Sequence, residues 1–131
     1  MRKEYLHLFS DPAGASHIET VQVELASTPY APPAPDVYLS PPMPAAAAAF
    51  LAVPAGWSGT SHVSPRRQLF VVLSGELEVE MSDGSVRRSG PGGVALLDDT
   101  TGRGHITRVI GEVPVEALVV PLVSSSRVGE E

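Results

Sequence analysis

Residues 56–75 contain three side chains whose types and spacing suit chemistry. His62 follows Gly56 after five intervening residues, Ser64 comes two positions later, and six residues separate Gln68 from Gly75. A neutral imidazole titrates near neutral pH and can serve as a general acid or base. A Gln side chain can orient an imidazole or donate a hydrogen bond to a developing oxyanion. These residue types therefore suit proton transfer, such as isomerisation, cyclisation, dehydration or epimerisation of a small molecule.

The same stretch resembles the first signature of the cupin superfamily, which has the pattern G-x5-H-x-H-x(3–4)-E-x6-G. Every spacing of that pattern is kept between Gly56 and Gly75. His62 stands at the first His position, whereas Ser64 replaces the second His and Gln68 replaces the Glu. The resemblance therefore points to the fold more strongly than to the chemistry of the family.

A second cupin signature, roughly G-x5-P-x-G-x2-H-x3-N, has a weaker counterpart later in the chain. It begins at Gly93, contains one extra residue, and has Thr100 at the Pro position. Gly102 matches, His105 falls at the position of the third His ligand, and Val109 replaces the Asn. The two signatures together are similar to those of small single-domain bacterial cupins.

This resemblance implies an all-β fold, the cupin double-stranded β-helix or jelly-roll barrel, over about residues 45–123. It also implies that His62 and His105 come together inside the mouth of the barrel, with Gln68 beside them. We therefore expect His62, His105 and Gln68 to be the catalytic residues.

A metal site is the alternative use of the same side chains. Members of the family hold Fe, Mn, Ni, Zn or Cu with two or three His and one Glu, so by resemblance the ligands here would be His62, Gln68 and His105. Imidazole suits all of these metals, but three neutral ligands leave a divalent charge uncompensated, and burying that charge is costly. Asp98 or Asp99 could supply a carboxylate from the loop that they occupy. We expect no cofactor, with a divalent transition metal (Zn, Fe, Mn or Ni) as the alternative.

The candidates for substrate binding are Trp57, Ser64, Arg66, Arg67 and Phe70. An Arg guanidinium can bind a carboxylate through two hydrogen bonds, so Arg66 or Arg67 would clamp an acidic substrate. The alternative is that both are charged residues of a turn that is exposed to solvent. Trp57 is the only Trp. It either lines the barrel mouth and stacks on a ring of the ligand, or it packs in the core or in an interface.

Three functions remain open on this basis. The first is an enzyme without a metal that carries out acid–base chemistry of the isomerase, cyclase or lyase type on a small, acidic or ringed molecule, in bacterial and possibly secondary metabolism. The second is a metal-dependent cupin, such as a dioxygenase or a zinc-assisted cyclase. The third is a ligand-binding or sensing module without catalysis.

Composition excludes several other classes. The chain has 131 residues, which suits one domain, and its net charge of -6 argues against nucleic acid and anionic membranes as partners. It has no Cys and therefore no thiolate site. The first twelve residues lack an apolar signal-peptide region, and the apolar residues 43–55 are too few to span a bilayer. We expect a cytoplasmic protein.

The strand pattern predicts how residues 1–131 are divided. N-terminal strands and a proline-rich arm at residues 28–35 occupy about residues 1–44, the barrel core occupies about 45–123, and 124–131 form a polar tail. Residues 45–50 are expected to be a strand. Alternation places Leu69, Val71 and Leu73 on the outer face of their strand, where a partner copy would cover them, so we expect a homodimer. The large apolar side chains expected in the core or cavity wall are Met43, Phe50, Phe70 and Met81.

Overall fold

The computed structural model describes residues 1–123, and this part of the chain consists of strands and turns without a helix. The predicted polar tail lies outside the described residues. None of residues 1–123 belongs to a helix that could cross a membrane. The eleven strands are Arg2–Ser10 (β1), Ser16–Glu24 (β2), Ala26–Thr28 (β3), Val37–Leu39 (β4), Ala49–Val53 (β5), Gln68–Ser74 (β6), Glu76–Met81 (β7), Val86–Ser89 (β8), Val94–Asp98 (β9), His105–Ile110 (β10) and Val115–Pro121 (β11).

Two sheets form the barrel. The larger has the order β2-β1-β9-β6-β11-β5 and the smaller has the order β10-β7-β8. All neighbouring pairs are antiparallel except β1 and β9, which are parallel. The N-terminal strands are thus built into the larger sheet and extend the barrel beyond the segment that carries the two signatures. The prediction of an all-β barrel is confirmed.

Strand β7 shows why the sequence folds in this way. Successive side chains of a strand point to opposite faces, and here Leu77 and Met81 are buried at 4% and 2% exposure. The intervening Glu78 and Glu80 point outward, where both carboxylates bind the guanidinium of Arg108 on β10. Strand β7 thus has an inner apolar face and an outer acidic face.

Strand β6 follows the same rule and carries part of the core. Val72 is 2% exposed and packs in a buried cluster with Leu77, Val109 and Val115. Leu73, the next residue, is 48% exposed on the outer face. The outer position predicted for this side chain is therefore correct.

The strand before the first signature differs from its prediction. It spans Ala49–Val53 and lies at the edge of the larger sheet, whereas residues 45–50 were expected to form it. Ala45 makes only an isolated bridge to Leu122, because the prolines before it cannot donate to a sheet ladder. Phe50 points outward, with 84% of its surface exposed, and Met43 is 38% exposed. Their assignment to the core or the cavity wall is wrong.

The proline-rich segment joins two short strands that the sequence did not indicate. Strands β3 and β4 pair with one another in a separate antiparallel ribbon. Residues 29–36 connect them with exposed side chains. The segment is thus a loop between two strands, and both strands of the ribbon keep one unpaired edge.

His17 connects two turns and should make stability depend on pH. Its Nε2 lies 2.7 Å from Asp11 Oδ2 and its Nδ1 lies 2.9 Å from Asp83 Oδ2. Hydrogen bonds to Asp11 and then Asp83 raise the pKa of His17 above its ordinary value. A raised folded-state pKa contributes stability that is complete below about pH 6.5 and is lost as the pH rises through the folded-state value.

The melting temperature of the wild type should therefore fall between pH 6 and pH 8 relative to that of His17→Gln. Differential scanning calorimetry at several pH values measures the difference, and other titrating groups cancel between the two proteins. The pKa values of Asp11 and Asp83 are lowered. They change the stability only at acidic pH, where these carboxylates become protonated, and not between pH 6 and pH 8. A pH-independent difference between the two proteins would contradict the assignment.

Candidate functional site

A cavity of about 440 Å³ lies between the two sheets and is lined mainly by apolar side chains. Leu8 and Phe70 contribute to it from the larger sheet, and Leu77 and Val79 from the smaller one. The polar side chains that line it are His62, Ser64, Gln68, Arg87, Ser89, His105 and Thr107. A few polar groups in an apolar cavity are typical of small-molecule sites.

The backbone brings the two predicted histidines together. His62 and His105 exchange both backbone hydrogen bonds, at 3.0 Å and 2.9 Å, as an isolated antiparallel bridge. Their rings lie with centroids 4.9 Å apart and planes inclined by 52°. The two imidazoles, which the sequence separates by more than forty residues, therefore lie side by side at the cavity.

Asp99 holds His105 from behind the cavity wall. Its Oδ2 lies 2.5 Å from Nδ1 of His105, and its Oδ1 accepts a 2.6 Å hydrogen bond from the Ser64 hydroxyl. Asp99 is fully buried, and Ser64 and His105 are 2% and 5% exposed. The carboxylate thus has both oxygens satisfied inside the protein, as a buried charge requires.

These partners determine which ring nitrogen each histidine offers. Nδ1 of His62 lies 2.9 Å from the backbone carbonyl of Thr60, which can only accept, so this nitrogen carries a proton and donates. Nδ1 of His105 donates in the same way to the Asp99 carboxylate. In both neutral rings Nε2 is then the basic nitrogen. Each histidine can accept a proton through Nε2 from a ligand in the cavity.

Most of the other predicted site residues lie at the cavity. Trp57, Ser64, Gln68 and Phe70 line it. Ser64 donates a hydrogen bond to Asp99, so the side chain that replaces the second His of the signature helps to hold the carboxylate that binds His105.

The two predicted arginines are placed elsewhere. Neither Arg66 nor Arg67 belongs to the described cavity lining. Nε of Arg67 lies 3.5 Å from Oδ1 of Asp98, and Arg66 is exposed in the turn before β6. The carboxylate clamp expected of these residues has no support from this geometry.

Two residues of the site were not assigned by the sequence reasoning. Asp99 was considered only as a metal ligand in a loop, whereas it is buried and orients His105. Arg87 received no role but lines the cavity. The register of the β7–β8 hairpin pairs it with the inward Val79. That register, extended from the turn at residues 82–84, would have placed Arg87 inside.

The donor set does not fit a bound transition metal. Within residues 1–123, no three His, Cys, Asp or Glu side chains lie close enough to hold a metal ion. The nearest carboxylate, Asp99, gives its oxygens to Ser64 and His105. Two imidazoles and the neutral amide of Gln68 would leave the charge of a divalent ion uncompensated.

Three solved structures are similar to this chain at low identity. A conserved protein of unknown function from Streptococcus pyogenes is 19% identical with a TM-score of 0.44, over 59% of this chain and 65% of its own. The cupin domain of Cnp3 from Schizosaccharomyces pombe is 18% identical with a TM-score of 0.48, over 98% and 88%. An RmlC-like cupin protein from Desulfovibrio desulfuricans is 15% identical with a TM-score of 0.40, over 92% and 85%. Similarities of this size assign neither a function nor a partner.

A comparison with curated proteins gives no match. The family model of the cupin domain matches residues 49–121. The matched segment is more than half of the chain, and it contains His62, Ser64, Asp99 and His105. The chain therefore belongs to the cupin family.

Proposed function

We propose that this cupin is an enzyme that moves a proton on a small molecule bound in the barrel, without a metal. One observation carries the proposal. The buried Asp99 carboxylate holds Nδ1 of His105, so that Nε2 is the basic nitrogen at the wall of an apolar cavity. An orienting carboxylate behind a histidine is the arrangement by which enzymes prepare a general base.

The proposed step is abstraction of a proton from a carbon next to a carbonyl. The proton passes from the substrate to Nε2 of His105, and the electron pair of the broken C–H bond moves toward the carbonyl oxygen. Asp99 stabilises the imidazolium that forms, because it already accepts the Nδ1 proton. The amide of Gln68 can donate to the oxyanion. The isomerisation is complete when His105 or His62 donates a proton to a different atom of the substrate.

Solvent deuterium exchange tests this function without knowledge of the natural substrate. The protein is incubated in D₂O with a panel of small aromatic or alicyclic oxo acids whose carbonyl group is remote from the carboxylate, including 4-acetylphenylacetate, and mass spectrometry follows deuterium uptake next to the carbonyl. Wild type should exceed the buffer rate for at least one acid and should keep that rate after treatment with a chelator. No acceleration across the panel favours the binding module, and acceleration lost with the chelator favours the metal-dependent alternative.

A homodimer remains a proposal, and light scattering at micromolar concentration tests it. It rests on exposed apolar side chains on the outer face of the larger sheet, Phe50 at 84% and Leu73 at 48%. A second copy of the chain would cover them, so a monomer mass would oppose it. A cytoplasmic location and a role in bacterial secondary metabolism also remain proposals.

A further inference from the structure

A cationic side chain faces the cavity from β8. Arg87 and Ser89 both line the cavity, and as alternate residues of one strand they form its inner face. The Arg87 guanidinium donates through Nη1 to Thr20 Oγ1 at 3.4 Å. Within residues 1–123 it has no carboxylate partner, whereas its neighbour Arg88 pairs with Glu78 at 3.2 Å.

The register of the smaller sheet places Arg87 away from the histidines. Arg87 pairs with Val79 and Val79 pairs with Thr107, so the three residues form one row across β8, β7 and β10. All three line the cavity. His105 lies two residues before Thr107 on β10. With about 4.8 Å between strands and about 3.4 Å per residue, the Cα atoms of Arg87 and His105 are roughly 12 Å apart.

The cavity therefore has two polar ends with apolar walls between them. One end carries His62, Ser64 and His105, and the other carries Arg87 and Ser89. Val79 from β7 lines the wall between the strands that carry Arg87 and His105. Arg87 is exposed at its end of the cavity, and a guanidinium binds a carboxylate through charge-assisted hydrogen bonds.

We propose that Arg87 binds the carboxylate of a small ligand whose apolar or ringed body fills the cavity and whose other end lies at His105. The inference rests on the small-molecule binding of the proposed function and names the class of substrate. It assigns to Arg87 the carboxylate contact that the sequence suggested for Arg66 or Arg67. The specificity of the site is then for amphipathic carboxylic acids.

The test compares a carboxylate with its neutral amide. Binding of 4-phenylbutanoate and of 4-phenylbutanamide is measured through the fluorescence of Trp57, the only Trp of the chain and part of the cavity wall, with isothermal titration calorimetry as a second readout. The proteins are wild type, Arg87→Gln and the matched control Arg88→Gln, which removes the same charge from the adjacent position. Ionic strength is kept low because the Arg87 side chain is exposed.

Wild type should prefer the carboxylate, and Arg87→Gln should raise its Kd about 10- to 100-fold, as expected for a hydrogen bond to a charged group. The same variant should leave the Kd of the amide nearly unchanged, and Arg88→Gln should change neither. Equal or undetectable binding of the two ligands by the wild type overturns the inference, as does an equal loss of both ligands in Arg87→Gln. Because 4-phenylbutanoate is not turned over, these outcomes are distinct from a failure of deuterium exchange.

Discussion

Replacing His105 by Asn should lower the enzyme-catalysed deuterium exchange by about 100- to 10,000-fold, which is the usual contribution of a general acid or base. The Asn amide nitrogen can take the place of Nδ1 and donate to Asp99, so the buried carboxylate keeps its partner. What the variant lacks is the basic Nε2 that faces the cavity. The rate should fall while the melting temperature stays close to that of the wild type.

The matched control is His17→Gln, which removes an imidazole outside the cavity. His17 pairs with Asp11 and Asp83 and is absent from the cavity lining, so its loss should leave the exchange rate unchanged. A folded His105→Asn protein that exchanges deuterium as fast as the wild type would remove His105 from the mechanism. The assignment of the base would then pass to His62, and His62→Asn would be measured in the same assay.

The sequence was sufficient to locate the two histidines because their positions depend on spacing. His62 and His105 stand at fixed distances from Gly56 and Gly102, two turn glycines with positive φ. Alternation within a strand then predicted which side chains of β6 point outward, since the period of two is a local property. Both kinds of information are contained in short segments of the chain.

Asp99 could not be assigned in the same way, because its role depends on a contact between distant segments, and Arg87 was missed because the register of the β7–β8 hairpin was not extended to it. Asp99 is buried and accepts a hydrogen bond from Ser64, on a segment 35 residues earlier in the chain. In a sequence, an Asp at the end of a strand is equally consistent with an exposed loop. Arg87 is inward because of its pairing with Val79, and a shift of one residue would have turned it to solvent.

Replacing Gly104 by Ala should cause the largest loss of stability of any single methyl group added to the site. Gly104 has φ of +73°, a conformation that costs L-residues energy. A Cβ at this position would overlap the carbonyl group of His62 and lie 2.6 Å from the backbone nitrogen of Val63. Neither neighbour can move freely, because the His62 carbonyl accepts from the His105 amide at 2.9 Å. Backbone strain and overpacking together predict a loss of about 3 to 5 kcal/mol in the free energy of unfolding.

Gly84→Ala and Gly111→Ala are the matched controls, since they separate backbone strain from overlap. Both glycines also have positive φ, +92° and +83°, but a Cβ at either position would meet no atom within 4 Å. Each should cost only about 1 to 2 kcal/mol in urea denaturation, from the left-handed backbone alone. The excess loss at Gly104 then measures how firmly the bridge between His62 and His105 is fixed. An equal loss in all three variants would mean that the bridge can open, and that the 4.9 Å separation of the two imidazoles is not held by the close approach of Gly104 to His62.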